Sequence, residues 1–183
     1  MRVLGISGSL RRDSYNTRLL RAAADLLPSG AEFELLEIGD IPPYNEDLDG
    51  ERAPRAAQRL RDEIAASDAI LIGTPEYNAS IPGLLKNAID WASRPFPGNS
   101  FSDKPVLVIG ASTGVFGAVW AQAELRKVLA HIGADVIDSE LGVGEADSAF
   151  SDGGGLRNAA LADRLAEQLR SLVREAQREP VAA

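Results

Sequence analysis

Ala69-Ile70-Leu71-Ile72, followed by Gly73-Thr74-Pro75-Glu76-Tyr77-Asn78, is the stretch on which the fold turns. Four consecutive apolar residues with no polar alternation describe a strand covered on both faces, and such strands belong to parallel sheets sandwiched between helices. On either side of it, short apolar runs alternate with helical spacing. Upstream, Val3 to Ile6 reads as a first strand. Leu19, Leu20, Ala23, Leu26 and Leu27 then recur as on a helix that Pro28-Ser29-Gly30 stops, and Phe33 to Ile38 reads as a second strand. Residues 39–54 form a long loop, and Ala56, Leu60 and Ile64 mark a second helix.

Downstream, Leu84, Leu85, Ala88, Ile89 and Ala92 mark a third helix and Pro105 to Ile109 a fourth strand. A helix with Val119, Ala123, Val128 and Leu129 ends near Gly133, and Ala134 to Ile137 is a weak fifth strand. Leu161, Leu165, Leu169, Leu172 and Ala176 define a final helix. This alternation predicts an α/β domain with a doubly wound, five-stranded parallel sheet and helices on both faces, in the flavodoxin-like strand order. Residues 1–178 are expected to form one domain, and residues 179–183 a frayed tail.

The chain has 183 residues, 45% of them hydrophobic, which suits one core. A formal net charge of -8 argues against a nucleic-acid binder, whose surface must neutralise phosphates. The absence of cysteine excludes thiol nucleophiles, disulfides and iron–sulfur ligation, so any redox chemistry must come from a bound cofactor. With one histidine, His131 at a helix end, a transition-metal site is not expected. Asn45, Asp47, Asp49 and Gly50 imitate the start of a calcium loop, but its twelfth position is Ala56 rather than a bidentate glutamate. The first apolar run is too short for a signal peptide, and no run reaches the length of a membrane span. A soluble, cytoplasmic protein is the expectation.

Ligands of such sheets sit beyond the carboxyl ends of the strands. After the first strand, Ser7-Gly8-Ser9-Leu10-Arg11-Arg12-Asp13-Ser14-Tyr15-Asn16-Thr17 leads into a helix whose exposed N–H groups favour anions. Ser9, Ser14, Asn16 and Thr17 add neutral donors, and Arg11 or Arg12 a guanidinium fork; equally, Ser14 or Asn16 can serve as an N-cap. After the third strand, Tyr77 offers a ring face and Asn78 edge contacts, on a loop bounded by Pro75 and Pro82; locally, it also reads as a turn before a helix capped at Ser80. After the fourth, Gly110-Ala111-Ser112-Thr113-Gly114 would let a ligand approach the backbone. Residues 5–9 are not G-x-S-x-G, and neither a P-loop nor G-x-G-x-x-G follows the first strand, which argues against a nucleophile elbow, P-loop hydrolysis and a Rossmann-held nicotinamide.

Ser9-Leu10-Arg11 with Ser14 and Asn16, then Pro75-Glu76-Tyr77-Asn78 and Ser80-Ile81-Pro82-Gly83-Leu84-Leu85-Lys86-Asn87-Ala88-Ile89-Asp90-Trp91, closely resemble the NADPH-dependent FMN reductase family. The likeness runs from the first strand to about residue 137. It implies that Ser9, Leu10, Arg11, Ser14, Asn16 and the adjoining Thr17 bind the FMN phosphate. It likewise implies that Pro75, Glu76, Tyr77 and Asn78 line the isoalloxazine and ribityl chain, and that Ser112, Thr113 and Gly114, in a loop that varies among relatives, close the other side. It implies ping-pong electron transfer from NADPH or NADH, through the flavin, to small acceptors such as quinones, flavins, chromate or azo compounds, with no catalytic side chain. It further implies a homodimer or homotetramer built on the helix around Leu84 to Trp91, and Tyr44 as a substrate contact; Trp91 reads as a core, interface or ligand residue, and its helix position favours the interface. The main alternative is a flavodoxin-like electron carrier; a non-redox binder of another phosphate ligand is a third reading. No 2′-phosphate pocket is legible in the sequence.

Overall fold

A computed structural model describes residues 1–178; the expected frayed tail, 179–183, lies outside the described residues. In chain order the elements are β1 (Arg2–Ser7), α1 (Tyr15–Ala24), β2 (Glu32–Leu36), α2 (Arg55–Ala66), β3 (Ala69–Thr74), α3 (Gly83–Ala92), β4 (Pro105–Ala111), α4 (Val119–His131), β5 (Asp135–Val136), β6 (Gly142–Val143) and α5 (Ala159–Ala176). The sheet is parallel throughout, in the order β2-β1-β3-β4-β5, with β6 also paired to β4. That is the doubly wound, flavodoxin-like arrangement, with its switch point between β1 and β3.

Strand alternation builds two cores. Leu4, Ile6, Ile70, Ile72, Val106 and Val108 face one way and pack under α2, α3 and α4. Val3, Leu71, Leu107 and Ile109 face the other way and pack under α1 and α5. Every residue of β3 and β4 is buried, as an unbroken apolar strand requires. Each fully buried Leu or Ile contributes roughly 1.5–3 kcal/mol, so these two central strands dominate the stability of the sheet.

The fifth strand position differs from the sequence expectation. It is two short pieces: β5 pairs with Pro105 and Val106, and β6 with Gly110 and Ala111. Asp138-Ser139-Glu140 supplies no apolar face, so the edge bows outward and rejoins the ladder where the Gly110 amide donates to the Leu141 carbonyl at 3.1 Å. The segment after β6 then interlocks with the loop after β4. A Cβ at Gly117, whose φ is +61°, would stand 2.4 Å from the backbone carbon of Gly142, and one at Gly144 would stand 2.3 Å from the Val115 carbonyl oxygen. Only glycine permits this approach.

The loop between β2 and α2 is tied down rather than loose. The Asn87 side chain accepts from the Tyr44 amide at 2.7 Å and donates to the Pro42 carbonyl at 2.9 Å, and Trp91 Nε1 donates to the same carbonyl at 2.8 Å. Arg61 bridges Asp49 and the Trp91 carbonyl, and Arg59 grips Asp40. Trp91 is thus fully buried inside its own chain, which corrects its expected place at a subunit interface. Among the described residues, no helix is long and apolar enough to cross a membrane.

Candidate active site

The loops after β1, β3 and β4 meet at the carboxyl end of the sheet. The first is seated by the Gly8 amide, which donates to the Gly73 carbonyl at 2.8 Å. Ser14 is the N-cap of α1 and accepts from the Thr17 amide at 3.2 Å, which leaves its hydroxyl proton free to donate outward. Among the described residues the amides of Leu10, Tyr15 and Asn16 donate to no protein acceptor, and the last two form the open end of a ten-residue helix. Arg11 lies over the Tyr15 ring, its Cζ 5.7 Å from the centroid, and Tyr15 is itself stacked on Phe150.

Two of the predicted side chains hold the scaffold. Asn16 is almost fully buried and forms a closed pair with the Ala111 backbone: Nδ2 donates to the carbonyl and Oδ1 accepts from the amide, both at 2.9 Å. It joins the start of α1 to the end of β4. The Thr17 hydroxyl lies behind the loop, 2.9 Å from Ser7 Oγ.

In the second loop, Tyr77 and Ser80 pair through both backbone bonds around Asn78 (φ 55°) and Ala79 (φ 58°). Two successive positive φ values make this a type I′ turn, favourable for Asn and strained for Ala. The turn projects the Tyr77 ring, which is half exposed, beyond the end of the sheet. Glu76 has a structural bond the sequence did not announce: its Oε2 accepts from the Trp120 and Ala121 amides at 3.0 and 3.1 Å, so a carboxylate from the β3 loop caps α4. Ser80 does not cap α3. Its hydroxyl donates to Glu124 at 2.5 Å, and Pro82 occupies the N-cap position.

The third loop is pinned. The Ser112 amide donates to the Val143 carbonyl at 3.0 Å, and its carbonyl accepts from Ala146 at 3.1 Å; Gly114 accepts from Glu145 at 3.2 Å. The Ser112 hydroxyl turns inward on the Gly114 carbonyl at 3.2 Å.

Between these loops runs a polar cleft of about 130 Å³. It brings together Ser9, Arg11, Ser14 and Asn16 with Pro75, Glu76, Tyr77, Ser112 and Thr113. Tyr15 and Ala111 join them, neither assigned a role by the sequence reading, although the two residues' neighbours in the chain were. Leu10 instead lines a wider, more apolar cleft of about 380 Å³, with Tyr77, Pro82 and Leu84. The two clefts share Arg11 and Tyr77. Asn78 sits exposed at the hairpin tip, and Gly114 and Thr17 line neither cleft. The donor set of the small cleft suits a phosphate dianion, and the apolar one suits a flat ring; a dinucleotide-sized or flavin-sized ligand, which needs roughly 300–1,000 Å³, would span both. A larger groove of about 780 Å³ lies between α3 and α4, beside Lys86, Arg94 and His131, and contains none of the predicted site residues. Tyr44 lies close to it in the loop, its hydroxyl 3.3 Å from Arg94 Nε.

The sequence model described as NADPH-dependent FMN reductase matches residues 1–148. An NAD(P)H-dependent FMN reductase of Pseudomonas aeruginosa is 45% identical over 173 residues, covering 94% of this chain and 93% of its own. A quinone reductase of Pseudomonas putida is 44% identical over 154 residues, covering 84% and 83%. Among solved structures, the flavoenzyme NAD(P)H:(acceptor) oxidoreductase FerB of Paracoccus denitrificans superposes with a TM-score of 0.87 at 41% identity, covering 96% of this chain and 97% of its own.

Proposed function

Because the chain belongs to the NADPH-dependent FMN reductase family, we propose that the loops after β1, β3 and β4 hold FMN across the two clefts, and that quinones are the small acceptors served there. The protein is an FMN-dependent oxidoreductase using NAD(P)H. The observation that carries the site is the joining, through Arg11 and Tyr77, of a cleft rich in unpaired donors to a flat apolar one.

When bound, FMN supplies the electron relay between nicotinamide and acceptor. The chain's own residues supply position. The free amides of Tyr15 and Asn16, the Ser9 and Ser14 hydroxyls and the Arg11 guanidinium receive the phosphate, where partial positive charge at the helix start favours a dianion. Leu10 offers its amide there and its side chain to the apolar cleft. Tyr77, with Pro75 behind it, walls the ring, and the hairpin fixes the angle of that wall. Glu76 keeps its carboxylate on α4 and so holds the loops at constant spacing, while Ser112 and Thr113 close the far side of the small cleft, and Asn78 in the hairpin and Gly114 beneath the Ser112 hydroxyl support those walls. Asn16 and Thr17 contribute through the backbone and the scaffold rather than through side-chain donors. No side chain is assigned as acid or base.

Residues 1–178 act as one FMN-binding domain in the cytoplasm. The outward side of α3, with Leu84, Lys86 and Asp90 but not Trp91, is the surface through which copies associate into a homodimer or homotetramer, and Tyr44 contacts the acceptor. A carrier would have the same fold, but the relatives with nearly full-length likeness are named for turnover. The test is a visible spectrum of the purified protein before and after anaerobic NADPH. Flavin bands that bleach rapidly support the assignment. Failure of FMN to bind removes it, and bands that persist with both nicotinamides point to a carrier.

A further inference from the structure

A third cleft, of about 350 Å³, lies on the opposite flank of the first loop, between α1 and the end of β2. Arg11, Arg12 and Arg21 all border it, as do Ser9 and Thr17. Among the described residues, none of these three arginines pairs with a carboxylate, and none of their guanidinium groups donates a hydrogen bond to the protein. Arg2, Arg59, Arg61 and Arg126, by contrast, each pair with an acid. In a chain of net charge -8, carboxylates are plentiful. Arg12 and Arg21, two cations without one on this flank of the Arg11 ridge, describe a place kept for an anion from outside, and the arginine fork suits phosphate oxygens.

We propose that this cleft seats the 2′-phosphate of NADPH. The proposal rests on the reductase reading above and adds to it the residues that distinguish the two nicotinamides. Position selects this phosphate over that of FMN. The FMN phosphate cleft lies across the Ser9–Arg11 ridge, and the two share only that ridge. The third cleft also shares Leu10 and Arg11 with the apolar cleft, so a dinucleotide with its nicotinamide over Tyr77 and Leu84 crosses Leu10 and delivers its other end between Arg12 and Arg21. Leu35, Leu36 and Ile38 give that end an apolar floor. The carboxyl end of the strand beside the phosphate strand is also where dinucleotide-binding sheets read the adenosine ribose, with an acid for the 2′-hydroxyl or an arginine for the 2′-phosphate. Here Glu37 follows β2 directly and lines the same cleft as Arg12 and Arg21, which leaves the lining net positive.

The test uses the FMN-loaded protein with Arg12→Gln, Arg21→Gln and the double variant. Two readouts are taken: calorimetric binding of 2′,5′-ADP against 5′-AMP, and KM for NADPH against NADH. The wild type is expected to prefer 2′,5′-ADP. The double variant should lose that preference and raise KM for NADPH by at least about 10–150-fold, the span of one charge-assisted bond, with KM for NADH and the FMN Kd changed less than about twofold. Equal losses for both nicotinamides would assign the arginines to the pyrophosphate and overturn the proposal. So would release of FMN, unchanged constants, or a wild type that binds both nucleotides alike. A wild type that binds no FMN or oxidises neither nicotinamide would instead strike the reductase reading itself.

Discussion

Asn16→Ala is the sharpest probe of how the site is held. The substitution removes two hydrogen bonds of 2.9 Å between α1 and the Ala111 backbone and leaves the amide and carbonyl of Ala111, itself buried, with no side-chain partner. Two net hydrogen bonds amount to ~1 kcal/mol each, and a buried group left unsatisfied adds ~1–3 kcal/mol, so a loss of about 3–5 kcal/mol is expected. For a domain of this size that corresponds to a fall in Tm of about 6–20 °C. Urea unfolding of the apoprotein reads the loss without interference from ligand. Asn16→Asp keeps an acceptor for the Ala111 amide but sets a carboxylate against the Ala111 carbonyl and beside the anion cleft, so it should also weaken FMN binding, which is read by fluorescence titration. If Asn16→Ala costs less than about 1 kcal/mol while FMN binding collapses, Asn16 is a direct phosphate ligand and not the clasp described here.

Other outcomes follow from the same geometry. Arg11→Ala should weaken FMN binding by ~1.5–3 kcal/mol with little change in apoprotein stability; an unchanged Kd takes Arg11 out of the phosphate site. Gly117→Ala must carry a methyl at φ +61° against the Gly142 backbone; it should cost more than the ~1–2 kcal/mol of the left-handed conformation alone and reduce FMN affinity with it, as thermal melts and titration would reveal. The hydrogen bonds from Arg59 hold the Asp40 carboxyl below its ordinary 3.8. A carboxyl depressed by folding stabilises the protein above its ordinary value and loses that contribution as pH falls through the depressed one. The stability difference between wild type and Arg59→Met, measured by urea melts, should therefore be constant above about pH 5 and shrink in more acid solution.

The architecture was legible because it is written in short-range pattern. The unbroken runs at Ala69–Ile72 and Pro105–Ile109 announced buried parallel strands, and the leucine spacing of α5 its apolar face. The fifth strand was only half visible, since Leu141-Gly142-Val143 is too short to register as a strand without the β4 edge it pairs with. Most of the residues that meet in the small cleft were legible as a group, but their division of labour was not. Asn16 and Glu76 both look like ligand contacts in sequence. Their actual hydrogen-bond partners lie at Ala111, Trp120 and Ala121, tens of residues away, and no local pattern encodes those bonds. Trp91 misled for a related reason: its helix position is partly outward, yet the loop carrying Pro42 and Tyr44 folds over it. The arginine cleft between α1 and β2 was hidden because Arg21 lies a full turn beyond the loop and looks like ordinary helix surface.

The interlock of the β4 loop with the segment after β6 has a consequence for the order of assembly. Ser112 and Gly114 are held by Val143, Glu145 and Ala146, and Tyr15 by Phe150, so the pocket borrows its last wall from the final third of the chain. During synthesis the amino-terminal strands emerge first, yet one side of the sheet is covered by α1 alone until α5 arrives. A nascent chain halted before residue 142 would present the donor-rich loop without its opposite bank. The far bank of the cleft is therefore set only when the segment after β6 has joined the β4 loop.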